Sequence, residues 1–112
     1  MKMIFRMKRK IINIPIFDKT IEVIWNKDLS KIQQYLLDTF SEETFPTLHP
    51  LSAGATWMLS TGYIIIGLTS NDSTLIHELG HCVWRIVQLC GIEDEETFCY
   101  LLEYIYKEIT ND

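Results

Sequence analysis

Long apolar runs are missing from this chain. None of its 112 residues belongs to a stretch approaching the ~18 apolar residues a membrane-spanning helix needs, so no membrane segment is expected. Cysteine is scarce and odd in number, namely Cys82, Cys90 and Cys99. An odd count without an apolar signal segment argues against a disulfide framework and for free thiols in a reducing, cytoplasmic compartment. All three fit small core positions, and Cys82 would point about 100° away from its neighbour His81 on a helix. Basic residues thin out after the start: Lys2, Arg6, Lys8, Arg9 and Lys10 are half of the 10 Lys and Arg, against 15 Asp and Glu. With a net charge of −5, the acidic remainder argues against nucleic acid as a partner. The basic start reads as a solvated first strand or a frayed tail. Repeats and low-complexity linkers are also absent. At 47% apolar, residues 1–112 can build one core and are expected to form one domain.

What is present is concentrated in residues 73–91, where His77-Glu78-Leu79-Gly80-His81 stands within a helical pattern. Residues four apart share a helix face, so His77 and His81 can bind one metal ion through two imidazole nitrogens. Glu78 follows the first ligand by one residue and can deprotonate a water beside the metal. By average residue usage, H-E-x-x-H arises by chance in such a chain only on the order of a few times per thousand.

The rest of the chain supplies a frame for that helix. Residues 11–17 and 20–25 are β-branched runs joined by Asp18-Lys19, with Pro15 at an edge or bulge. Asn26 to Asp28 offers N-caps for an amphipathic helix over about 28–40, whose apolar stripe would cover one sheet face. Residues 41–53 hold Pro46, Pro50 and His49 and read as a loop. Residues 54–59 and 63–68 are short strands around a Gly62 turn, the second apolar enough to be buried on both faces. Ser70 to Ser73 can cap the motif helix and Gly91 can end it as the left-handed residue past its C-terminus. A last helix begins near Asp94, with Phe98, Leu101, Leu102, Ile105 and Ile109 as its stripe. The order β-β-α-β-β-α-α predicts an α+β domain, a small mixed sheet packed with helices.

Catalytic zinc wants three protein ligands and one open position. The short link from residue 91 to 93 makes the last two helices neighbours, so the third ligand is expected among Glu93, Asp94, Glu95, Glu96 and Glu103. Glu96 and Glu103 are seven apart and share a face; spacing leaves both open.

HExxH followed by a glutamate on the next helix resembles the gluzincin group of zinc metallopeptidases. More closely, TLIHELGHCVWRIVQLCGIEDEETFCYLLEYI is similar to small phage- and prophage-encoded metallopeptidases, which makes residues 54–109 the motif-bearing part of a minimal zincin-like domain. The resemblance implies one Zn²⁺ held by His77, His81 and Glu96, with Glu78 as general base and a peptide or protein as substrate. It places the strand at 54–59 as the sheet edge that receives an extended peptide, with Trp57 or Trp84 lining a pocket. Tyr100 stands where the pattern has an Asp, so it is the candidate to orient His77 or to donate to the transition state. The alternative expectation is a non-catalytic zinc-stabilised protein, or a metal-free interaction protein, of phage origin.

Overall fold

The computed structural model describes residues 8–14, 17–41, 53–69 and 73–111. The expectations for Lys2, Arg6, Pro15, the loop holding His49, and the capping residues Ser70, Asn71 and Asp72 lie outside the described residues. The elements run β1 (Lys8–Ile14), β2 (Lys19–Trp25), α1 (Leu29–Thr39), β3 (Gly54–Met58), β4 (Ile64–Leu68), α2 (Ser73–Leu89) and α3 (Glu95–Thr110). They form a mixed four-stranded sheet of order β1-β2-β4-β3, with three helices. Only the central pair, β2 and β4, is parallel; β1 with β2 and β3 with β4 are antiparallel.

Period-two alternation divides the sheet between two cores. Ile21 and Val23 of β2, with Ile64, Ile66 and Leu68 of β4, face α2 and α3. Ile24, Trp57 and Ile65 face α1, where Ile32 and Leu36 meet them. Every residue of β4 is buried, as its unbroken apolar run predicts for an inner strand. On α2, Leu75, Leu79, Cys82, Val83 and Ile86 make the buried stripe. Each fully buried Leu or Ile contributes about 1.5–3 kcal/mol.

Local chemistry sets the ends. Asp28 caps α1 by accepting from the Ser30 amide at 3.0 Å. Asp94 caps α3 through the Glu96 amide at 3.2 Å. Asp18 takes the left-handed conformation at φ 50 in the β1–β2 connection. Gly91, at φ 70, ends α2: its amide donates to the Gln88 carbonyl and the Ile92 amide to the Val87 carbonyl, the paired bonds of a Schellman turn. Among the described residues no helix is long and apolar enough to cross a membrane.

Two expectations are corrected. The first strand runs from Lys8 rather than residue 11, so Lys8, Arg9 and Lys10 are a largely exposed strand start, as one of the two readings of the basic start has it, and not a tail. Lys8 lies over the Trp25 ring, Arg9 pairs with Glu22, and Lys10 donates to the Ile109 and Asn111 carbonyls at the end of α3. Cys82 alone is a core cysteine; Cys90 is exposed just past the end of α2, and Cys99 is exposed because helical spacing turns it off the buried stripe of α3.

The α1 side also holds a buried carboxylate. Glu22 is only 1% exposed. It accepts from Arg9 Nε at 2.5 Å, the Tyr63 hydroxyl at 2.7 Å and the Tyr35 hydroxyl at 3.2 Å. Burial and the Glu22 hydrogen bond hold the Tyr63 phenol neutral well above its ordinary range, and burial raises Tyr35 likewise.

Candidate metal centre

The two motif histidines stand on the exposed side of α2, away from its buried stripe. Their Nε2 atoms are 3.2 Å apart, with the rings edge to face. Two nitrogens each ~2.0–2.1 Å from one tetrahedral zinc lie about 3.3 Å apart, so this spacing fits a shared ion.

Glu78 departs from its neighbours. Its position turns toward β3 and the residue is only 7% exposed. Thr56, at the middle of β3, holds it: the Thr56 hydroxyl lies 2.7 Å from Glu78 Oε1 and 3.1 Å from the Glu78 carbonyl oxygen. Alternation along β3 puts Gly54, Thr56 and Met58 on this side and Ala55 and Trp57 on the other. Gly54 permits the close approach of strand and helix. A Cβ there would come within 2.7 Å of Thr74 Cγ2, 3.0 Å of the Gly67 carbonyl oxygen and 3.2 Å of Glu78 Cγ.

Glu78 separates two clefts. One is lined by Ala53, Gly54, Ser73, Thr74, His77 and Glu78. The other, of about 480 Å³, is lined by Thr56, Met58, Glu78, His81, Trp84, Arg85 and Gln88. Each histidine thus lines its own cleft, and Glu78 lines both. Trp84 is 55% exposed and stacks edge-on to Phe98, whereas Trp57 is buried in the α1-side core. Of the two tryptophans expected near a pocket, Trp84 lines one.

Glu96 is not brought to the histidine pair. Among the described residues no three of His, Cys, Asp and Glu form a group able to hold a metal ion. The stripe of Phe98, Leu101, Ile105 and Ile109 faces the core, and 100° per residue then turns Glu96, Tyr100 and Glu103 outward. Glu103 instead pairs with Lys107 at 3.2 Å, and Tyr100 is 65% exposed. Cys82 is no substitute: burial pushes its thiol up to about 12, which disfavours the thiolate a metal needs.

No family model, curated protein or solved structure matches this chain. The site therefore has to be read from its own geometry. Thr56 and Arg85 are the residues the motif did not point to. The signal for Arg85 was present, because it lies four residues after His81 and seven after Glu78 on one helix. The signal for Thr56 was its alternation with Gly54 and Met58 on a strand expected beside the motif helix.

Proposed function

We propose that this chain is a zinc-dependent metallopeptidase of zincin-like architecture. The observation that carries the reading is the pair of imidazole nitrogens 3.2 Å apart on the same helix as a buried glutamate that lines two clefts. His77 and His81 would hold the ion. Bound there, zinc would lower the pKa of water toward neutrality and polarise a peptide carbonyl. Glu78 would accept the proton of the attacking water and return it to the leaving amine. Thr56 orients that carboxylate, so the base is held in place before substrate arrives. Strand β3 ends the sheet order beside the clefts, which suits an extended peptide laid along it. Glu96, which the resemblance to phage metallopeptidases implies as the third ligand, faces outward and does not join the pair, so in this reading the described residues supply the two imidazole donors alone. His81→Ala should then weaken zinc binding measured by competition with a chromogenic chelator, and Glu96→Ala should leave it unchanged.

The deciding experiment is Glu78→Gln. It should retain zinc and lose cleavage of a peptide library that wild type cleaves. A wild-type protein that carries zinc and cleaves nothing sinks the reading.

One observation favours a second reading, a metal-free interaction protein: among the described residues no third donor joins the histidines. Metal analysis of protein purified without a histidine tag separates the two. Absence of bound zinc, together with no rise in Tm on adding zinc, supports the second.

A further inference from the structure

The two clefts beside Glu78 differ in charge and size of lining. The one on the His77 side is lined by small residues besides His77 and Glu78, and among the described residues it holds no lysine or arginine. The one on the His81 side holds Arg85, flanked by Trp84, Met58 and Gln88. Arg85 is exposed and has no ion-pair partner among the described residues, although the chain carries 15 acidic residues and a net charge of −5. The other arginine on a described element, Arg9, is tied to Glu22.

We infer that Arg85 is a specificity residue that selects a substrate carboxylate in the His81-side cleft. The inference rests on reading the site as a peptidase. A guanidinium presents a planar fork of N–H donors that matches a carboxylate with two parallel hydrogen bonds. Glu78 and Arg85 are seven residues apart, about 10.5 Å along the helix. An extended peptide rises about 3.3 Å per residue, so the selected carboxylate lies within about three residues of the bond presented to Glu78. Trp84 and Met58 offer apolar surface to the stem of an acidic side chain, and the Gln88 amide offers a further donor. A side-chain carboxylate of Asp or Glu and the free α-carboxylate of a peptide end share this chemistry.

The test uses zinc-loaded wild type, Arg85→Gln and Arg85→Glu, with fluorescently labelled peptides read by anisotropy. One peptide pair, amidated at its end, differs only in Glu against Gln. The other pair has no acidic side chain and differs only in a free against an amidated end. In wild type, the carboxylate member of one pair should bind roughly 10- to 100-fold more tightly, and that pair identifies the source. Arg85→Gln should erase the advantage, and Arg85→Glu should transfer it to a lysine-bearing peptide. Because Arg85 is exposed, unchanged thermal melts will show that the variants are folded. An advantage below about threefold in both pairs, or one that survives Arg85→Glu, overturns the inference. Mass spectrometry of the same mixtures tests the underlying reading separately. Arg85-dependent binding with no cleavage by wild type refutes the peptidase and leaves the carboxylate site standing. Cleavage without a carboxylate preference does the reverse.

Discussion

Removing the Thr56 hydroxyl tests the central claim about the base. Thr56→Val keeps the side-chain shape and deletes the group lying 2.7 Å from Glu78 Oε1 and 3.1 Å from the Glu78 carbonyl. Glu78 is 7% exposed, so water cannot fully replace the lost donor. A hydrogen bond to a charged group contributes roughly 1.5–3 kcal/mol. Urea denaturation should show that loss in the midpoint with the slope unchanged, and Tm should fall by roughly 6–12 °C. A cycle with Glu78→Gln isolates the pair. Charge-assisted bonds are about twice as strong as neutral ones, so Thr56→Val should cost about half as much in the Gln background. A cost below about 0.5 kcal/mol in the wild-type background refutes the claim that Thr56 holds Glu78.

Three more perturbations follow from the packing. Gly54→Ala forces a Cβ to within 2.7 Å of Thr74 Cγ2 and 3.2 Å of Glu78 Cγ. It should cost about 1–3 kcal/mol by urea titration and lower peptide cleavage beyond the loss of folded protein. Arg9→Met removes the cation paired with the buried Glu22 carboxylate, which keeps the Tyr35 and Tyr63 hydroxyls, and should destabilise by about 1.5–3 kcal/mol in the same titration. The Tyr63 phenol has its folded-state pKa raised by burial and by Glu22. Its contribution is therefore complete below the ordinary tyrosine range near 10 and is lost as pH rises above it. Tm measured from pH 9 upward should fall, and Tyr63→Phe should flatten the fall.

Much of this was legible in the chain. The seven elements and their order follow from local signals: apolar spacing of 2 or 3.6, N-caps at Asp28 and Asp94, and the left-handed end at Gly91. What failed depended on partners far along the chain. The partners of Lys8, Arg9 and Lys10 were not legible because Trp25, Glu22 and the end of α3, which hold them, are distant in sequence. Glu22 looked like the polar member of an alternating strand; its burial needs Arg9 from β1 together with Tyr35 and Tyr63. The histidine pair was legible because a single helix fixes it. The third donor was not, because it depends on how α3 is turned about its axis. The core stripe through Leu101 and Ile105 sets that turn and directs Glu96 outward.

Stability alone does not account for Glu78. Its neighbours on the buried side of α2 are Leu75, Leu79, Cys82, Val83 and Ile86. A leucine or methionine at 78 would extend that stripe without the desolvation cost of a buried carboxylate. The surroundings instead accommodate the charge. Thr56 supplies a donor, Gly54 removes the Cβ that would crowd Glu78 Cγ, and a cleft opens on each side. These contacts come from β3, separated from Glu78 by more than 20 residues, so helix propensity and the HExxH spacing do not generate them. The exposed histidines, by contrast, cost the fold little, and by themselves would say little. It is the buried carboxylate between them, positioned by a second element, that gives the chemical reading its physical support.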